Sequence, residues 1–137
     1  MDVLEKLQAR VTRNPFNNWL GLQIRAAADG HVEVMTPWRD EFGSMPEKGA
    51  THGGILASIL DTTCCYAVVS STGKMASTVD LRIDYHGVAQ KGPLRAEATI
   101  VRSGQRLATV DGEVFDERGR LVASGRGTFI HLPDVDI

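Results

Sequence analysis

One carboxylate stands alone in the middle of the chain. Between His52 and Lys74 the sequence runs GGILASILDTTCCYAVVSSTG, in which Asp61 is the only formal charge. A carboxylate in so apolar a segment loses hydration, which costs several kcal/mol unless partners compensate. Such a residue serves either a structural pairing or chemistry. The chemistry open to Asp61 is nucleophilic attack, or removal of a proton from an attacking water, and the sequence leaves both routes open.

The residues just before this segment form a second candidate group. His52 is followed by Gly53 and Gly54, at the point where a helix would begin. The first N–H groups of a helix have no partner within it, and the helix dipole helps them to stabilise an oxygen that becomes negative. Gly53 is the candidate donor, Gly54 allows a ligand to approach closely, and His52 would orient the loop or the ligand. The two glycines are equally compatible with tight packing at a turn.

The apolar segment predicts one long helix over residues 53–71, with Thr51 as its N-cap. Apolar residues fall on nearly every face, so the helix should be enclosed by a sheet. A membrane span has a similar length, but Asp61 and five serine and threonine side chains make the segment too polar for one. We therefore predict a core helix and no membrane segment.

Composition excludes several classes of function. A chain of 137 residues predicts one domain, 1–137, and a net charge of -2 with interspersed signs argues against nucleic-acid binding. The partner is expected to be a small molecule. The N-terminal residues lack the long apolar core of a secretory signal, so we predict a cytoplasmic protein. The histidines lack metal-ligand spacing, so neither a metal nor another cofactor is expected. Cys64 and Cys65 are adjacent and predict two buried, unbridged thiols.

The flanking segments predict an α+β domain. Residues 1–14 carry apolar side chains at helical spacing, and this helix should stop at Asn14-Pro15. Two extended segments around the Asp29-Gly30 turn predict a hairpin, and residues 38–51 are expected to form a loop. Four more strands are predicted, at 76–85, 94–102, 108–115 and 121–131. A curved antiparallel sheet wrapped around the apolar helix is the simplest arrangement that buries that helix.

Three strings carry a resemblance to a known family. They are HGGILASILD (52–61), STVDLRIDY (77–85) and RSGQRLATVDGEVFDERGRLVASGRGTF (102–129). Together they resemble the hotdog-fold acyl-CoA thioesterases of the phenylacetate-pathway and 4-hydroxybenzoyl-CoA type. The resemblance implies a hotdog fold and hydrolysis of an acyl-CoA to a carboxylic acid and free coenzyme A. It also implies a homodimer with a shared sheet, which often associates further into a tetramer.

Helix geometry independently requires two chains if the two candidate groups act together. At about 1.5 Å per residue, Asp61 lies about 12 Å along the helix from its start at Gly53. One chain therefore cannot bring both groups to the same carbonyl carbon. Two antiparallel copies of the helix about a two-fold axis can place the start of one beside the acid of the other.

The resemblance adds further site residues. Thr78 matches the position where similar enzymes carry a Ser or Thr that helps to hold the attacking water, although an ordinary strand residue fits there equally. The turn from Arg102 to Arg106 matches a region near the nucleotide, although solvated turn charges would look the same. The residues expected to contact coenzyme A are Gly54, Val79, Asp80, Arg102, Gly104 and Arg106.

One position departs from the family pattern. Similar thioesterases usually carry an Asn or Gln six residues before the His, where this chain has Pro46, and the nearest polar side chain is Glu47. The alternative function is therefore an acyl-CoA binding or sensing module that does not catalyse. A hotdog hydratase is disfavoured because the chain has no D-x-N-P-x-H string.

Overall fold

One long helix lies against one face of a six-stranded antiparallel sheet. The computed structural model describes residues 2–137, so Met1, the first residue of the predicted N-terminal helix, lies outside the described range. The helices are α1 (Val3–Arg13), α2 (Pro15–Leu20) and α3 (Gly53–Thr72). The strands are β1 (Gln23–Ala28), β2 (His31–Thr36), β3 (Gly43–Met45), β4 (Ala50–Thr51), β5 (Lys74–Tyr85), β6 (Leu94–Ser103), β7 (Leu107–Phe115) and β8 (Leu121–Asp136).

The main sheet has the strand order β1-β2-β6-β7-β8-β5, with every neighbouring pair antiparallel. The predicted α+β arrangement and its four later strands are confirmed. Strand β5 lies at one edge and pairs with β8 alone, so one side of its twelve residues has no partner within the described chain. An edge strand of that length is an open site for pairing with another strand.

The core lies between α3 and the inner face of the sheet, and glycines let the two approach closely. A Cβ at Gly112 would lie 2.7 Å from Leu60 Cδ1 and 2.8 Å from Cys64 Sγ. The prediction of a fully enclosed helix is only partly right, because the side of α3 that carries Asp61 and Cys65 is half-buried. By length and composition α3 would also suit a membrane span, and half of that apolar stretch is buried inside the fold. The absence of a membrane segment stays a prediction.

Helix α2 is a feature that the sequence reading missed. The first helix ends at Asn14-Pro15 as expected, but Pro15 then starts a new helix, since proline suits the first helical position. Asn14 caps it by accepting hydrogen bonds from the N–H groups of Phe16 and Asn17. This short helix brings Asn17 into the interior, where it is 5% exposed.

The predicted hairpin of β1 and β2 is confirmed, and the predicted loop is wrong in part. Asp29 and Gly30 have φ angles of 46° and 83°, as the central residues of a type I′ turn require. Residues 38–51 are not simply a loop: they hold two 3₁₀ turns and the short β3-β4 pair. Each of these elements is only two or three residues long, which is too short for a periodic pattern in the sequence to reveal.

A buried carboxylate stabilises the turn between β7 and β8. Asp116 Oδ1 accepts hydrogen bonds from the backbone N–H groups of Arg118 and Arg120, both at 3.0 Å, and Oδ2 accepts one from Arg120 Nε at 2.8 Å. Burial by itself raises the pKa of Asp116. The hydrogen bonds from Arg120 and Arg118 and the charge of Arg120 together outweigh it, so the pKa lies below its ordinary value.

Replacing Asp116 with Asn should lower the free energy of unfolding at neutral pH by about 1.5–3 kcal/mol, because it removes charge-assisted hydrogen bonds. Since the folded pKa is the lower one, this stabilisation is present above the unfolded pKa and is lost as the pH falls through the folded value. The difference between wild type and variant should therefore shrink below about pH 4. Urea unfolding of both proteins across that range measures it. A difference that stays constant with pH would contradict this role of the carboxylate.

Candidate active site

Asp61 and Thr78 lie together in the structure. Asp61 is partly buried on α3, and the Thr78 hydroxyl on β5 donates a hydrogen bond to Asp61 Oδ1 at 2.7 Å. Asp61 Oδ2 has no hydrogen-bond donor among residues 2–137. One carboxylate oxygen is therefore held in position while the other can act on a ligand or a water molecule.

Asp61 and Thr78 line a cavity of about 260 Å³ between α2, α3 and β5. Asn17 lies in the same wall, where its Oδ1 accepts a hydrogen bond from the Thr62 hydroxyl at 3.0 Å. Sequence reasoning missed Asn17, because the residue is 45 positions from its partner and belongs to the unpredicted helix α2. It supplies an amide beside the candidate acid. The loop before His52 supplies none, since Pro46 begins an exposed 3₁₀ turn.

The first turn of α3 is capped by His52, and the prediction that Thr51 is its N-cap is wrong. His52 Nδ1 accepts a hydrogen bond from the Gly54 N–H at 2.8 Å. Accepting that bond requires a lone pair on Nδ1, so the neutral ring carries its proton on Nε2. The Thr51 hydroxyl instead accepts a hydrogen bond from Trp38 Nε1 at 2.9 Å.

Side chains satisfy every polar backbone group of the two glycines except one. The Tyr85 hydroxyl donates to the Gly53 carbonyl at 2.8 Å, and the Ser58 hydroxyl donates to the Gly54 carbonyl at 2.8 Å. The Gly54 N–H is bound to His52, as described above. The Gly53 N–H alone has no acceptor within the described part of the chain. It is the donor that the sequence predicted, and the structure leaves it free at the start of α3.

Within one chain the two candidate groups lie apart. The cavity that contains Asp61 is not lined by His52, Gly53 or Gly54. Their contacts on β5 are separated as well, because Thr78 lies beside Asp61 whereas Tyr85 lies beside Gly53. Seven residues of extended strand span about 23 Å. A single chain therefore cannot bring the two candidate groups together at one carbonyl carbon.

The residues expected to contact coenzyme A lie in three places. Gly54 is at the start of α3, as described. A β-bulge at Val79 separates Thr78 from Asp80, so that Thr78 faces α3 while Asp80 faces a groove of about 670 Å³ on the outer side of the sheet. The Asp80 side chain therefore points away from the cavity of Asp61.

The basic turn lies at the far end of α3. Gly104 shapes it by donating its N–H to the Leu107 carbonyl at 2.8 Å. The turn lies beside Thr72, about 16 Å along the helix from Asp61. Arg102 and Arg106 are exposed and form no ion pair within residues 2–137. Both guanidinium groups are thus available to an anionic ligand, and their assignment to coenzyme A stays a prediction.

The two cysteines are unsuited to nucleophilic chemistry. Both are free thiols; Cys64 is buried and Cys65 is half-buried. Burial, and then the nearby Asp61 charge, raise the pKa of the Cys65 thiol to about 12, and the same causes raise that of Cys64. Both thiols are therefore protonated at neutral pH. Among residues 2–137, no three His, Cys, Asp or Glu side chains group as metal ligands would.

The chain is similar to several proteins that share a family. Residues 48–123 match the thioesterase superfamily. A solved structure of a thioesterase-superfamily protein is 43% identical with a TM-score of 0.90, over 93% of this chain and 97% of that one. A variant of the phenylacetic acid degradation protein PaaI from Thermus thermophilus is 31% identical with a TM-score of 0.77, over 87% of this chain and all 100% of that one. The medium/long-chain acyl-CoA thioesterase YigI from Escherichia coli is 24% identical, over 85% of this chain and 84% of its own length. The chain belongs to the thioesterase superfamily, and the hotdog fold and the enzyme class predicted from its sequence, a thioester hydrolase, are confirmed.

Proposed function

We propose that this thioesterase hydrolyses acyl-CoA at a site built by two chains. The observation that carries the proposal is the placement of the two half-sites along one unpaired edge strand. Thr78 on β5 holds Asp61, and Tyr85 on the same strand holds Gly53. The half-sites are therefore separated by a fixed length of β5.

Antiparallel pairing of two β5 strands would unite these halves. If the two-fold axis passes between Leu81 and Arg82, Thr78 of one chain lies opposite the partner's Tyr85, since both are equally far from the axis. The Gly53 N–H of one chain then approaches Asp61 of the partner subunit. The two-fold axis generates a second, equivalent site. The pairing would also cover an edge on which Val79 is 59% exposed. We therefore propose a homodimer, and leave a tetramer as a further expectation.

In this site the Gly53 N–H would bind the thioester carbonyl oxygen as negative charge develops on it. Asp61 of the partner subunit either attacks the carbonyl carbon or takes a proton from a water that attacks it. In both routes the C–S bond breaks, coenzyme A leaves and is protonated to the thiol, and water completes the carboxylic acid. Thr78 orients the carboxylate, and its hydroxyl oxygen can still accept a hydrogen bond from the attacking water.

The substrate class rests on the dimensions and charges around the site. A cavity of about 260 Å³ beside Asp61 exceeds the roughly 150 Å³ that can hold a benzene ring, so an aromatic or medium-length acyl group fits. The unpaired Arg102 and Arg106 suit the phosphates of a nucleotide. Relatives whose names specify an acyl-CoA substrate support the same class. A cytoplasmic location and the absence of a cofactor accompany this proposal as expectations.

A panel of acyl-CoA substrates tests the proposal. Thiol release, followed with a thiol-reactive dye, should reach a kcat/KM of about 10⁴ M⁻¹s⁻¹ or more for at least one aromatic or medium-chain thioester. Sedimentation at the assay concentration should show a dimer. If coenzyme A binds but no thioester is hydrolysed, the binding-module alternative, suggested by Pro46, replaces the enzyme. Full activity from a monomer would overturn the two-chain site.

A further inference from the structure

We propose that Tyr85 is a positioning residue that holds the oxyanion donor of this enzyme in place. The inference rests on the proposed role of the Gly53 N–H. The observation behind it is a hydrogen bond that the Tyr85 hydroxyl donates to the Gly53 carbonyl at 2.8 Å. This bond joins the edge strand β5 to the first residue of α3. Tyr85 ends one of the strings that carry the family resemblance, but its contact with Gly53, 32 residues away, has no local signal in the sequence.

The start of α3 needs such a contact because two consecutive glycines have the greatest conformational freedom of any dipeptide. Helix ends also fray, since their first N–H groups have no partner within the helix. The Tyr85 hydroxyl binds the carbonyl of the peptide group between these glycines, and His52 accepts from the N–H of the same group at 2.8 Å. The free Gly53 N–H lies one peptide group earlier, so fixing its neighbour fixes its position although neither bond touches it.

The contact between Tyr85 and Gly53 also includes the ring. A Cβ at residue 53 would lie 3.2 Å from Tyr85 Cε1 and Cζ, closer than ordinary side-chain contacts allow. The ring therefore packs directly on the glycine backbone, and the hydroxyl bond fixes its distance. In the single chain Tyr85 is 51% exposed, and in the proposed dimer it lies opposite Thr78 of the partner subunit, at the completed site.

The same bond polarises the peptide group between Gly53 and Gly54. A carbonyl that accepts a hydrogen bond makes the N–H of the same peptide group a stronger donor, and chained hydrogen bonds strengthen one another. Here the chain runs from the Tyr85 hydroxyl through that peptide group to His52 Nδ1. Tyr85 thus strengthens the hydrogen bond between the Gly54 N–H and His52 as well as fixing the position of Gly53.

The test is Tyr85→Phe, which keeps the ring and removes only the hydroxyl. We expect kcat to fall roughly three- to tenfold, the range for one net hydrogen bond, with KM within about twofold of wild type. An oxyanion donor acts in the transition state, so its misplacement lowers kcat more than it changes substrate binding. The amide proton of Gly54 should shift in the NMR spectrum of the protein without substrate, because its peptide group loses polarisation.

The control is Thr36→Val, which also removes one hydroxyl and keeps the side-chain shape, at a buried group on β2 that has no hydrogen-bond partner in the described residues and lies outside the cavity of Asp61. Its kcat should equal that of wild type. The inference is overturned if Tyr85→Phe keeps the wild-type kcat, if the two variants lose kcat equally, or if the Gly54 signal stays unchanged. The NMR measurement needs no substrate, so it stands even if no acyl-CoA is hydrolysed, a result that would overturn the proposed function separately.

Discussion

Replacing Asp61 with Asn should lower kcat for acyl-CoA hydrolysis by roughly 10²- to 10⁴-fold, whereas KM should change little. The amide has the shape of the carboxylate and can still accept the hydrogen bond that Thr78 donates at 2.7 Å. It can neither attack a carbonyl carbon nor take a proton from water. The loss should therefore reflect the missing charge and lone pair. Initial rates of thiol release, with the acyl-CoA that wild type hydrolyses fastest, measure the effect.

The control for Asp61→Asn is the same change at Asp111, a carboxylate on the outer face of the sheet. Asp111 forms two hydrogen bonds with Arg126, at 2.6 and 3.0 Å, and lies away from the cavity of Asp61. Its replacement should leave kcat unchanged. An Asp61→Asn enzyme that retains more than about a third of the wild-type kcat would show that Asp61 has only a structural role.

Replacing Gly53 with Pro should lower kcat by roughly 10²- to 10³-fold, the usual cost of losing one oxyanion donor. Proline lacks the N–H group but suits the first position of a helix, so α3 should still form. The preceding His52 has a ψ of 134°, which is compatible with a following proline. The substitution thus removes the donor while it keeps the backbone path.

Gly53→Ala is the matched control, because it adds the same Cβ beside Tyr85 and keeps the N–H group. Any loss in the alanine variant measures the crowding against Tyr85, and the further loss in the proline variant measures the donor itself. Equal losses in the two variants would contradict the oxyanion role of Gly53.

The proline variant also allows a direct test of the two-chain site. When it is mixed with Asp61→Asn and the subunits exchange, half of the dimers should be mixed, and each mixed dimer should contain one intact site. Activity should then rise from nearly zero to about a quarter of wild type by random pairing. A site contained within one chain would regain nothing on mixing.

The parts of the site that were predictable from sequence are those whose signal is local. Asp61 stands out because its neighbours are apolar, and Gly53 because the glycines fall where a helix begins. Thr78 needed the resemblance, since a threonine in a strand is unremarkable by itself. The roles of Asn17 and Tyr85 depend on contacts across 45 and 32 residues, which no short window of sequence contains.

The errors have similar causes. Thr51 is a better N-cap than His52 by residue preference, but Trp38 binds its hydroxyl in the folded protein, and the imidazole takes over the cap. Helix α2 is only six residues long, too short for a period of 3.6 to show. The outward direction of Asp80, whose contact with coenzyme A stays a prediction, could not be foreseen, because it follows from the bulge at Val79, which reverses the alternation of faces along β5.

Leu60 determines the direction in which the candidate acid, Asp61, leaves the helix. Its two methyl groups enter recesses above Gly112 and Gly125, where added Cβ atoms would lie at 2.7 and 2.8 Å. Successive helical residues are about 100° apart around the helix axis. Packing of Leu60 against the sheet therefore sets the side of α3 on which Asp61 lies. Two glycines, one on β7 and one on β8, thereby keep α3 from turning about its own axis.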